Sequence, residues 1–210
     1  MFVLYIKCIK QGFILYIKRF AEDTLIEWLN NTYRKPLLIR GARQVGKSTL
    51  VRNFAAHNKL VLNEINLERH PELIQVFKTM NMSLIKKELD AIVRRNILEP
   101  HSLLFLDEIQ AVPAAIQALR YFYEDHPTLP VIAAGSLLEF ALSGSTFSMP
   151  VGRVQYFYLG PISFEEYIYH TDKYLYSSIS LFNFSKEIAH VTHINLIEKL
   201  REFLWVGGMP

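Results

Sequence analysis

Residues 35–55 read Lys35-Pro36-Leu37-Leu38-Ile39-Arg40, then Gly41-Ala42-Arg43-Gln44-Val45-Gly46-Lys47-Ser48, then Thr49-Leu50-Val51-Arg52-Asn53-Phe54-Ala55. The first part reads as a short buried strand. The last opens a helix, with Leu50, Val51 and Phe54 on its apolar side. The middle part matches the pattern G-x-x-x-x-G-K-[ST] in full, in the strand–loop–helix context that pattern requires. Gly41 and Gly46 allow backbone angles and a closeness of approach that a side chain would block. The loop N–H groups then point into a concavity at a helix N-terminus, where the dipole presents about half a positive charge to an anion. Lys47 is expected to reach the β- and γ-phosphates of a nucleotide, and the Ser48 hydroxyl to ligate Mg²⁺. Chance would produce the four fixed positions in roughly one chain of this length in a hundred.

A second stretch belongs with the first. Leu103-Leu104-Phe105-Leu106 is a continuous apolar run, as in a parallel strand buried on both faces, and it ends in Asp107-Glu108. An Asp at that strand end meets the need of Mg²⁺ for a carboxylate beside the phosphate loop. Glu108, one residue on, is placed to polarise an attacking water as a general base. Taken alone, two acids at a strand end are ordinary. With a complete phosphate loop upstream they mark nucleotide hydrolysis, and the adjacent Glu points to an ATPase. A guanine reader of the form Asn-Lys-x-Asp is not met by Asn58-Lys59-Leu60-Val61.

Weaker candidates follow in the chain. Gly135-Ser136 closes the next apolar strand, and Ser136 either orients the attacking water or caps a following helix. Arg153, in Pro150-Val151-Gly152-Arg153, either reaches a γ-phosphate, in its own subunit or a neighbour's, or makes a surface salt bridge. Arg43 is expected to face solvent or a neighbouring acid. The seven histidines show no ligand-like spacing.

Composition sets the limits. A chain of 210 residues, half apolar and one-fifth charged, holds one sizeable α/β domain with a small appendage. A net charge of +3 without long Lys/Arg runs lends little support to a nucleic-acid partner. The single Cys8 excludes an internal disulfide framework and fits a reducing, cytoplasmic setting. Phe2-Val3-Leu4-Tyr5-Ile6-Lys7 nearly repeats as Phe13-Ile14-Leu15-Tyr16-Ile17-Lys18, and Lys7, Lys10, Lys18 and Arg19 break it too often for a membrane span. A signal peptide is not matched either. A packed hairpin, an interfacial segment and a non-native leader from an upstream start codon stay open. The leader or a loosely held hairpin is favoured.

Strands are expected at 35–40, 60–67, 103–106, 130–135 and 155–159. Helices are expected at 22–31, 48–55, 70–77, 83–96, 113–123 and 137–142, from Ser163 with a capping box to Glu166, and at 194–205. That alternation predicts a P-loop α/β fold: a parallel sheet of about five strands with helices on both faces. Residues 171–186, rich in Ser, Tyr and Phe without a clean period, read as a linker or lid. The expected organisation is an apolar leader at 1–18, the P-loop domain at 19–170, and a linker and helix at 171–210. The turn signal Val206-Gly207-Gly208-Met209-Pro210 suggests a longer protein cut short.

Residues 36–49 (PLLIRGARQVGKST), 103–110 (LLFLDEIQ), 131–139 (VIAAGSLLE), 150–167 (PVGRVQYFYLGPISFEEY) and 207–210 (GGMP) resemble bacterial and archaeal AAA-family ATPases with a C-terminal domain of unknown function. The resemblance covers roughly residues 20–210. It implies an ATP-binding core of the additional-strand type, followed in cis by a winged-helix-like or nuclease-like region. Carried over by position, Gly46, Lys47 and Ser48 bind phosphate and Mg²⁺, Asp107 and Glu108 form the second motif, Ser136 falls at the sensor position, and Arg153 is the arginine of the PVGR stretch. The expected nucleotide cradle is Gly41, Ala42, Arg43, Gln44, Val45, Gly46, Lys47, Ser48 and Thr49, with Ser48 and Asp107 on the metal side. The expected cofactors are ATP and Mg²⁺. Expected activity is ATP hydrolysis that drives or times a conformational change, in a chain that could form a homo-oligomer. Competing readings are an ATP-dependent switch with negligible turnover and a DNA-linked regulator that needs ATP for assembly.

Overall fold

The computed structural model describes residues 17–136, 152–183, 185 and 187–209. Their contacts divide the chain into two compact units. One is Ala21–Gly160; the other joins the described residues up to Phe20 with those from Pro161 onward.

The larger unit runs α1 (Ala21–Asn30), β1 (Leu37–Arg40), α2 (Lys47–His57), β2 (Val61–Asn66), α3 (Leu73–Lys78), α4 (Met82–Val93), β3 (Ser102–Asp107), α5 (Pro113–Asp125), β4 (Val131–Gly135) and β5 (Gln155–Tyr158). The strands form one five-stranded sheet in the order β2-β3-β4-β1-β5, and every pairing is parallel. This is the doubly covered parallel sheet expected, with β4 inserted between β1 and β3.

Burial explains why the central strands read as unbroken apolar runs. Leu38, Leu104, Leu106 and Ala133 face one core, shared with Phe77 of α3, Ile85 and Leu89 of α4, and Phe122 of α5. Their neighbours Leu37, Ile39, Phe105, Ile132 and Ala134 face the other, shared with Leu25 and Trp28 of α1 and Leu50, Val51 and Phe54 of α2. Side chains alternate along a strand, so two covered faces require apolar residues at every position. Phe54 is fully buried behind the phosphate loop, and truncating such a side chain to Ala typically costs about 3–5 kcal/mol.

The smaller unit contains α6 (Phe164–Thr171), α7 (Lys173–Ser180) and α8 (His190–Val206). The capping box expected at Ser163 and Glu166 is present. The linker reading of 171–186 is corrected by α7. Asp172 caps it by accepting from the Leu175 amide at 3.0 Å, and Leu175 is buried. One apolar anchor among serines and tyrosines is too sparse a period to recognise. Residues 1–16 of the leader and the helix expected at 137–142 lie outside the described residues. Among those described, no helix is long and apolar enough to cross a membrane.

Candidate active site

The loop after β1 has the backbone that its glycines permit. A Cβ on Gly41 would lie 2.2 Å from the carbonyl oxygen of Leu159, so any side chain there would force the loop off the end of β5. Gly46 is left-handed at φ 89° and begins α2. Gln44 is also left-handed at φ 66°, a strained conformation for a non-glycine residue that the sequence does not announce. Val45 is fully buried and holds the loop to the core, while Ala42, Arg43, Gln44 and Thr49 are exposed. No side chain caps the N-terminus of α2, as is also true of α3, α5 and α8. An uncapped helix start, ringed by loop N–H groups, favours an anion.

Lys47 bends back over this loop. Its Nζ donates to the Gly41 and Ala42 carbonyl oxygens at 3.1 and 2.9 Å, and the residue is buried. Burial lowers the ammonium pKa from its ordinary value, and the nearby Glu108 and Asp107 carboxylates oppose that shift.

β3 brings the second motif to the same place. Ser48 Oγ donates to Asp107 Oδ2 at 2.8 Å, across 59 residues of chain. Asp107 Oδ1 accepts from the Glu108 amide at 3.1 Å. Burial raises the Asp107 pKa above the usual carboxylate range, helped by the charges of Glu108 and Glu64. The Ser48 hydroxyl and Glu108 amide pull the other way but do not prevail. Glu108 itself is left-handed at φ 51°. Its carboxylate accepts from Gln110 Nε2 at 2.6 Å.

Ser136 is buried immediately beyond β4, where Gly135 pairs with Arg40 at the end of β1. It therefore lies on the loop side of the sheet. Arg153 does not. Gln155 pairs with Leu37, whereas the phosphate loop leaves the sheet at Arg40, opposite Tyr158. Because β5 is parallel to β1, Arg153 lies beyond the end at which both strands enter, at least about 10 Å from the loop at 3.3 Å per residue. There its Nε donates to Glu124 Oε1 at 3.0 Å, an acceptor shared with Arg120. The expectation that Arg153 reaches a phosphate in its own subunit is thus corrected by sheet polarity, and its observed contact is the surface salt bridge.

These residues suit a nucleotide with a hard divalent cation. The Ser48 hydroxyl and Asp107 carboxylate are oxygen donors already in contact, and the Asp107 carboxylate is buried with its pKa raised by that burial. Among the described residues no group of three or more His, Cys, Asp or Glu side chains could hold a metal unaided. A cation here would need phosphate oxygens and water as further ligands, as Mg²⁺ commonly does.

Glycine loop, inward lysine and acid-tipped strand on a parallel sheet define a P-loop nucleotide-binding protein. A family model described as an AAA domain matches residues 33–168, and the chain belongs to that family. A search of curated proteins found no match. Among solved structures, the chain is similar to AMPPCP-bound DnaA from Aquifex aeolicus at 14% identity and a TM-score of 0.45. That match covers 93% of this chain and 62% of the other. The family match and the phosphate loop together make the chain a nucleotide-binding P-loop module of AAA type.

Proposed function

We propose that this chain hydrolyses ATP with Mg²⁺, and that hydrolysis drives or times a conformational change. The observation that carries this reading is the Ser48–Asp107 contact, which joins the phosphate loop to the acidic strand end with Glu108 beside it. Residues 41–49 cradle the phosphates, and Lys47 exchanges its loop carbonyl partners for phosphate oxygens. Bound by Ser48 and Asp107, Mg²⁺ would neutralise charge on the β- and γ-phosphate oxygens. Glu108 takes a proton from the attacking water as the water oxygen bonds to the γ-phosphorus. The bond to the bridging β–γ oxygen breaks, and its electron pair leaves with ADP. Ser136 helps orient that water. Arg153 serves catalysis only from a neighbouring copy, where such an arginine contributes about 10³–10⁵ in rate. The single Cys8 supports a reducing, cytoplasmic setting.

A switch with negligible turnover is the second reading. It is favoured by the engagement of Arg153 with Glu124 at the far end of the sheet, away from the loop of its own chain. Steady-state ATP hydrolysis by the chain beside its Glu108→Gln variant separates the two. Turnover that falls at least about a hundredfold in the variant, with ATP affinity kept, supports hydrolysis with Glu108 as base. ATP bound by both without turnover gives the switch the lead. Equal turnover in both puts the base elsewhere.

A further inference from the structure

Gln110 follows Glu108 by two residues, in the 3₁₀ turn Ile109–Ala111. That turn is firmly held. Ile109 is fully buried in the core, and the Ala111 amide donates to the Glu108 carbonyl oxygen at 3.0 Å. A glutamine on a short turn at a strand end would ordinarily extend its amide into water. Here the amide is turned inward. Nε2 donates to Glu108 Oε2 at 2.6 Å, while Oε1 is buried with no hydrogen-bond partner among the described residues.

A buried, unpartnered amide oxygen is unfavourable, and folded proteins retain few of them. The cost is offset by a short bond to a carboxylate, one of the stronger hydrogen bonds available to a neutral donor. Nothing in the packing of the turn depends on that bond, since Ile109 and the Ala111 amide already fix it. The amide restrains one thing, the carboxylate of Glu108. Glu108 has a left-handed backbone, so its side chain leaves the strand end at an unusual angle, and a flexible chain of that length needs a second point of attachment to hold one rotamer.

We infer that Gln110 is a positioning residue for ATP turnover, holding the Glu108 carboxylate in a single orientation toward the attacking water. The inference rests on the reading of Glu108 as the base. It distinguishes Gln110 from residues 41–49, which meet the nucleotide directly: losing it should lower kcat and leave binding alone.

The experiment compares wild type, Gln110→Ala, Gln110→Leu, Glu108→Gln and the Glu108→Gln/Gln110→Ala double variant in steady-state ATP hydrolysis. Each is checked for fluorescent-ATP affinity and thermal midpoint. Gln110→Ala and Gln110→Leu should lower kcat about tenfold, with ATP affinity within about twofold of wild type and an unchanged midpoint. The double variant should be no slower than Glu108→Gln, because the two residues act as one unit. A readout independent of turnover is the Gln110 side-chain amide in a ¹⁵N–¹H spectrum of nucleotide-free protein. It should stand apart from the solvent-exposed amides and return among them in Glu108→Ala. Wild-type kcat in both Gln110 variants beside an inactive Glu108→Gln overturns this inference alone. So does an amide resonance indifferent to Glu108→Ala, or a kcat loss that follows a lowered midpoint. Wild-type turnover in Glu108→Gln, or no turnover in wild type, overturns the reading beneath it and this inference with it.

Discussion

Asp107 and Glu166 are both buried carboxylates, and the fold treats them in opposite ways. Glu166, in the smaller unit, accepts from the Phe20 amide at 2.8 Å, the Ser163 amide at 2.9 Å and Arg19 Nε at 3.0 Å. Burial alone would raise its pKa, but these donors outweigh burial and hold it below the ordinary carboxylate range. Asp107, at the end of β3, has one hydroxyl and one amide, and it faces two other acids. Burial wins, and its pKa rises. A structural carboxylate is supplied with its donors and its cation by the fold. A buried carboxylate whose pKa is raised, in a cleft beside a phosphate loop, is a candidate for a functional role. Glu166 serves structure; for Asp107 we propose a role in holding the metal.

The sharpest test of that contrast lies beside Asp107. Lys47→Ala should weaken ATP binding by about a hundredfold or more, since removing one partner of a buried charged contact typically costs 2–5 kcal/mol. Calorimetric titration measures it, and unchanged affinity would remove the loop as the site. Glu166→Ala should lower stability by about 3–5 kcal/mol, because it leaves Arg19 buried without its carboxylate. Denaturant unfolding measures this. Its pH dependence follows from the lowered pKa. The stability that Glu166 supplies is present in full above its unfolded pKa and is lost as pH falls through the still lower folded value.

Asp107→Asn should act in the opposite direction and more weakly. With a folded pKa above the unfolded one, ionised Asp107 costs stability at neutral pH, and the cost fades as pH falls through the folded value. The amide should therefore raise the thermal midpoint of nucleotide-free protein, at about 2–4 °C per kcal/mol recovered for a chain of this size. A lowered midpoint would place Asp107 with Glu166 as a structural group. The smallest effect is expected of Arg153→Ala. An exposed ion pair contributes about 0–1 kcal/mol, and ATP affinity should not change. A rate loss that grows with protein concentration would show Arg153 acting on a neighbouring copy.

The sequence made one half of this comparison readable. The phosphate loop, Asp107 and Glu108 lie at the ends of strands, and local patterns of glycine, apolar runs and acids mark such ends. The capping role of Glu166 was equally local, visible in Ser163 three residues earlier. Its bond to Arg19 was not, because the two are 147 residues apart and no short pattern links them. Strand order was hidden for the same reason. That β5 lies outside β1, parallel to it, is what carries Arg153 to the wrong end of the sheet for its own loop. Gln110 stood in view within Leu106-Asp107-Glu108-Ile109-Gln110, but its contact depends on the left-handed turn at Glu108, which a glutamate does not advertise.

The most direct measurement is ATP affinity with and without Mg²⁺, for wild type and Asp107→Asn side by side. Wild type should bind ATP more tightly when Mg²⁺ is present, and Asp107→Asn should lose most of that gain while still binding ATP through the loop. An equal gain from Mg²⁺ in both proteins would contradict the assignment of Asp107 to the metal, and with it the joining of the loop and β3 into one site.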